Sequence, residues 1–148
     1  MFLLKNPVAL IFLSYTIGAL LTSVLNATGL IRYFYNRNFI SDKWTKNLGV
    51  LHFGWLVKNT FMRLFNNKVY LKNKRDKESL KMLIKESTNA EVGHLIGFVS
   101  LLIVNIYIFF AGDNFIYALV LMLINIIFNL YLVFLQQYNK RRVKRLLP

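Results

Sequence analysis

Nine consecutive residues, Glu86-Ser87-Thr88-Asn89-Ala90-Glu91-Val92-Gly93-His94, hold the types and spacing best suited to chemistry in this chain. On a helix, Glu91 and His94 are three apart and share a face. A histidine oriented by a carboxylate, Glu91 or Glu86, is a general base. It can take a proton from a hydroxyl while that oxygen attacks a thioester carbonyl. The same letters have a purely structural reading. Thr88-x-x-Glu91 matches a capping box, in which Glu91 only closes the start of a helix.

A wider polar pattern surrounds this motif. His94 and Asn105 are eleven residues apart, three helical turns, and so share a face. Asn125, Asn129 and Gln136 form a similar stripe further on. If the two segments fold back on each other, His94 comes level with residues 129–132, and Gln136 with Ala90 and Glu91. Gly93 and Gly97, four apart, would let those two helices approach closely. Polar groups within apolar segments are functional candidates, or they are interhelical hydrogen bonds worth about 1 kcal/mol or less each.

The C-terminal run from Gln136 through Tyr138, Asn139, Lys140, Arg141 and Arg142 to Arg145 is a polar exit followed by cations. It reads as a topological stop that binds anionic lipid headgroups, or as a site for the phosphates of an acyl donor. With no cysteine and only two histidines, thiol nucleophiles and zinc-thiolate centres are excluded and no metal site is expected. His52, among apolar neighbours, reads as a packed interfacial residue.

The elements that must position these groups belong to a membrane. The 148 residues are 56% hydrophobic, with a formal net charge of +13. A soluble domain of this size lacks the interior to bury so much apolar surface. The apolar segments make the partner of the positive charge an anionic membrane surface rather than nucleic acid. Three stretches are long enough to span a bilayer, at about residues 8–30, 92–111 and 115–135. A signal peptide is the competing reading of the first. However, it runs without a convincing small-residue cleavage site into Arg32-Tyr33-Phe34-Tyr35, an aromatic and basic border. Gly112-Asp113-Asn114 is a tight turn that makes the last two spans an antiparallel hairpin.

Residues 32–91 carry 13 Lys and Arg and the tail carries five more, whereas the hairpin turn has only Asp113. The positive-inside rule then places the N-terminus outside and the C-terminus in the cytoplasm. Residues 48–57 are apolar but too short to span. With Phe61, Met62, Leu64 and Phe65 among Lys58, Arg63 and Lys68, they predict an interfacial or re-entrant segment. Residues 72–85 predict a charged surface helix. The sequon Asn26-Ala27-Thr28 sits near the cytoplasmic border and is discounted. The expected fold is a single all-α membrane domain over residues 1–148. It has three spans, an interfacial segment and a basic tail over residues 136–148.

These stretches resemble the carotenoid-glycoside (glycosyl-diaponeurosporenoate) acyltransferase family of bacterial membranes. That family has Glu-Thr, two basic residues, Ala-Glu, two residues and His-Trp. Here Glu86, Ala90, Glu91 and His94 fall in place, with Ser87 for the threonine. Asn129, Gln136, Tyr138, Asn139, Arg142 and Leu146-Leu147 match a later Asn-x-Pro, Gln-Arg-Tyr-Asn-Arg-Pro-Arg and Leu-Leu pattern. Departures are Thr88-Asn89 for the basic pair, Leu95 for the tryptophan, and Tyr131 and Arg141 for the prolines. The resemblance is close over about the last 65 residues. It implies a membrane enzyme, with no cofactor, that transfers a fatty acyl group from a thioester to the primary hydroxyl of a lipid-linked sugar. In that reading His94 is the base, and Glu91 or Glu86 orients it. Asn129, Gln136, Tyr138 and Asn139 hold the sugar or polarise the carbonyl, and Arg142 meets the donor. The rivals are a non-catalytic membrane subunit or lipid-binding adaptor, and a small transporter subunit.

Overall fold

The computed structural model describes residues 6–60, 76–111 and 114–147; those residues are helical with no strand. α1 spans Pro7–Ala27. A 3-10 turn over Leu30–Tyr35 and two short helices, α2 (Asp42–Asn47) and α3 (Val50–Asn59), follow. α4 runs Lys77–Ala111 and α5 Phe115–Asn125. A π-helical turn over Ile126–Leu130 joins α5 to α6, Tyr131–Lys144. The interfacial residues expected at Phe61, Met62, Arg63, Leu64, Phe65 and Lys68, and the turn residues Gly112 and Asp113, lie outside the described residues.

Local chemistry sets the helix ends. Asn6 caps α1 by accepting from Val8 N (3.1 Å) and Ala9 N (3.2 Å), with Pro7 at the first helical position. α1 ends at Gly29, whose φ of 75° only glycine adopts without cost. Asn114 caps α5 through Tyr117 N at 3.0 Å.

Three helices are long and apolar enough to cross a bilayer: Pro7–Ala27, Lys77–Ala111 and the combined Phe115–Lys144. Their outward faces carry bare apolar side chains such as Phe12, Leu20, Ile103, Phe110, Ile116 and Leu123. That is the surface acyl chains require. The 35 residues of α4 extend about 50 Å, well beyond a hydrocarbon core of about 30 Å. Its first third therefore projects past the membrane and carries residues 77–85 of the charged helix expected over 72–85; residues 72–75 lie outside the described residues.

The capping-box reading of Thr88 and Glu91 does not hold. α4 begins a full three turns earlier, where Asp76 accepts from Glu78 N and Ser79 N at 3.3 Å each. Thr88 is internal and its hydroxyl donates back to Ile84 O at 2.8 Å.

α4 is the central helix, with α1 against one side and α5–α6 against another. Glycines set the α1–α4 spacing: a Cβ on Gly18 would strike the Gly93 carbonyl. One on Gly97 would meet Ser14 O at 3.2 Å and Asn129 Oδ1 at 2.9 Å. Gly93 was expected to admit the hairpin partner; it instead admits α1, whose Thr22 hydroxyl is its other neighbour. Gly97 serves both contacts. α3 lies across α6, with Val50 and Val57 packed on Leu132 and Leu135. Its other face leaves Leu51, His52, Trp55 and Leu56 exposed, so His52 does not pack within the protein. Asn26 donates to Asn89 Oδ1 at 3.1 Å and to Thr22 O, so the discounted sequon asparagine is a helix-packing residue.

Candidate functional site

Two polar clusters lie along the inner face of α4, about one turn apart. The first is built on Glu91, whose side chain is fully buried. Lys140 Nζ, also fully buried, donates to Glu91 Oε2 at 2.6 Å and to the carbonyls of Phe34 (2.8 Å) and Arg37 (3.2 Å). Gln137 Nε2 donates to Glu91 Oε1 at 2.9 Å, while its own Oε1 accepts from Phe39 N (2.9 Å) and Ile40 N (3.2 Å). Both Glu91 oxygens are thus occupied by α6 rather than by His94. Glu86 is half-buried and two turns from His94 along α4, about 12 Å away, beyond reach of the imidazole.

The same α6 face continues the pattern. Arg141 donates to Asp42 Oδ1 (2.8 Å), Ile40 O (2.7 Å) and Thr45 Oγ1 (2.9 Å). Lys144 donates to Tyr35 O and to Asn36 Oδ1, and Arg145 pairs with Asp42. Residues 36–41 form a strap of irregular backbone between the 3-10 turn and α2, and long cationic side chains donate to carbonyls of the strap and of the turn before it. Three of the five tail cations, Lys140, Arg141 and Lys144, are held this way, and Arg145 pairs with Asp42. Arg142 points off the strap face and is exposed, and Tyr138 and Asn139 are half-buried. The two arginines beside Asp42, Arg145 first, hold its carboxyl below the usual carboxylate range.

The second cluster surrounds His94. Its ring meets the Tyr15 ring of α1 edge-on, centroids 5.4 Å apart, and the Asn129 side chain lies beside it. Tyr15 also donates to Phe128 O at 2.9 Å. Phe128 sits in the π turn, which breaks the regular backbone ladder, and the phenol fills a place there. Asn129 Nδ2 donates to Asn125 Oδ1 at 2.9 Å and reaches Ser14 Oγ at 3.5 Å, and Asn125 Nδ2 donates to Phe98 O at 3.0 Å. His94 hydrogen-bonds the Asn129 side chain, and its Nδ1 is buried without a partner among the described residues. Asn105 Oδ1, on the same face of α4, is likewise unpartnered.

Of the expected residues, the fold brings His94 and Asn129 together and puts Asn125 in the same network. Gln136 is buried one to two turns below them, Tyr138 and Asn139 lie further down α6, and Arg142 lies at its far end. Gln137, Lys140 and Tyr15 were not anticipated. Lys140 had a signal: it is eleven residues from Asn129, the three-turn spacing that relates His94 to Asn105. Tyr15 had none, because only the packing of α1 brings it near His94.

A family model described as glycosyl-4,4'-diaponeurosporenoate acyltransferase matches residues 31–148. No curated protein and no solved structure matches the chain. The match includes His94, Asn129 and the whole Glu91–Lys140 cluster and leaves α1 outside.

Proposed function

The chain belongs to the glycosyl-4,4'-diaponeurosporenoate acyltransferase family, and on that premise we propose a membrane-bound enzyme that esterifies the sugar of a carotenoid-type glycoside. The donor is an acyl thioester and the site faces the cytoplasmic leaflet of a bacterial membrane, with the N-terminus outside and the C-terminus inside. His94 takes the proton from the primary hydroxyl of the sugar as its oxygen attacks the thioester carbonyl. The tetrahedral intermediate collapses with loss of the thiolate, which recovers the proton as free thiol. Ester and thiol are the products.

The observation that carries this reading is the buried His94 imidazole, hydrogen-bonded by the Asn129 side chain and left with its Nδ1 without a partner among the described residues. Buried polar atoms are ordinarily paired. An imidazole nitrogen left open beside an amide suits a bound hydroxyl. Fixed amide dipoles beside the reacting carbonyl would supply most of the rate, and the Asn129 amide is the nearest. Gln136 sits about 10 Å along α6 from Asn129 and Arg142 about 20 Å. In this reading Gln136, Tyr138 and Asn139 line the path of the sugar and the donor arm. Arg142, the tail cation outside the strap, meets the donor phosphates. Glu91 takes no part in orienting the base and instead holds α6 to α4.

A lipid-adhering adaptor would keep its cationic tail free, whereas Lys140, Arg141, Lys144 and Arg145 are bound within the protein. The test is lipid mass spectrometry of cells that make glycosyl-4,4'-diaponeurosporenoate. Cells with the wild-type chain should gain the acyl ester, and His94→Ala at equal membrane abundance should lose it by at least about a hundredfold. Equal ester levels in both would remove His94 from the reaction, and no ester in either would remove the activity.

A further inference from the structure

We infer that Tyr15, on the helix outside the family match, is a positioning residue that holds His94 and the Asn129-bearing turn in register; this rests on the acyltransferase reading. One side chain reaches both halves of the site. Its ring edge contacts the His94 imidazole at 5.4 Å between centroids, and its hydroxyl donates to Phe128 O at 2.9 Å, one residue before Asn129. α1 is brought close enough for this by Gly18 against Gly93 and by Ser14 against Gly97. The neighbouring Ser14 hydroxyl faces the Asn129 amide.

The physical need is clear from each partner. His94 has no carboxylate to fix its ring, since Glu91 is taken by Lys140 and Gln137. The Tyr15 ring packed edge-to-face on it and the Asn129 amide are the restraints on its rotation. The π turn has weaker internal pairing than an α-helix, and the phenol adds a fixed external donor. Ring and hydroxyl therefore do separable work: the ring orients the base, and the hydroxyl sets the height of Asn129 relative to it. The site is thus completed by the first span.

Two variants of the full chain in lipid nanodiscs separate these tasks. Tyr15→Phe keeps the ring and loses the hydroxyl, and Tyr15→Leu loses both. With palmitoyl-coenzyme A and glycosyl-4,4'-diaponeurosporenoate, Tyr15→Phe should lower kcat about fivefold, the equivalent of one ordinary hydrogen bond, with KM unchanged. Tyr15→Leu should lower kcat about a hundredfold, as misplacement of a catalytic group does. The second readout needs no turnover. The chain has two histidines, so labelled protein gives two imidazole spectra. Tyr15→Leu should shift that of His94 and leave that of His52. Unchanged His94 resonances in Tyr15→Leu would overturn the inference whether or not the protein turns over. So would normal kcat per folded molecule in both variants. An inactive wild type with shifted His94 resonances would instead fault the acyltransferase reading while the Tyr15 restraint stands.

Discussion

The Glu91 cluster and the His94 cluster sit on neighbouring turns of one helix, yet they are finished to different degrees. Around Glu91, the carboxylate, Lys140 and Gln137 find partners at 2.6 to 3.2 Å and the strap carbonyls are filled. Around His94, the ring's buried Nδ1 has none among the described residues. A saturated polar cluster has nothing left to offer a ligand. Its directional bonds specify how α4, α6 and the strap meet. An unsaturated one is costly in the empty protein and acquires its partners when something binds. On the proposed function, the reacting groups sit beside the fully bonded Glu91 junction, which would hold their geometry better than a loop does.

The largest expected effect breaks the saturated side. Replacing Lys140 by Met leaves the buried Glu91 without its opposite charge, with only Gln137 donating to it, a change that costs about 3–5 kcal/mol in comparable pairs. Lys140→Met should therefore lower the thermal melting of the purified protein sharply. Glu91→Leu combined with Lys140→Met should recover much of that loss, because the desolvation of both ions goes as well. A melting curve unmoved by Lys140→Met would show that the pair is not the junction. His94→Ala sharpens the contrast, since it should leave folding intact while ending turnover.

A smaller effect is expected where α1 meets α4. Gly18→Val places branched carbons against the Gly93 carbonyl, and overpacking of this kind costs about 1–3 kcal/mol. Acyl transfer should fall further than stability, because the shift moves Tyr15 away from His94. Activity and melting unchanged together would mean that the helices do not touch there.

The mildest probe is acid. The Asp42 carboxyl is held below its ordinary value by Arg145 and then Arg141, so ionised Asp42 favours the folded state. That contribution is fully present above its unfolded value of 3.8 and is lost as pH falls through the lower folded value. Thermal melting should drop as pH falls below about 4, and Asp42→Asn should flatten part of that slope. The same slope in both proteins would detach Asp42 from the anchoring of the strap.

Much of this arrangement was legible in the residues alone. Span length depends on local hydropathy and a fixed rise per residue, and all three spans lie where the apolar runs place them. The polar stripe followed from the 3.6-residue period, and it correctly put His94 level with Asn129. The short apolar run at residues 48–57 was too short to span, and it lies across α6. The family likeness followed from motifs on α4 and α6, and the match over residues 31–148 agrees.

What only the tertiary structure decided is which polar group meets which. Glu91 had two sequence-local uses, as helix cap or as partner of His94, and it serves neither of them. Lys140 arrives from 49 residues away and outcompetes His94, because a buried carboxylate is stabilised more by an opposite charge than by a neutral ring. Lys140, Arg141 and Lys144 reach the carbonyls of residues 34–40 because irregular backbone requires donors. Gly93 faces α1 because small residues serve whichever helix comes closest. Periodicity assigns a residue to a face of its helix; the partner on that face depends on the packing of the whole chain, and that packing gave Glu91 to Lys140 and left His94 to Tyr15 and Asn129.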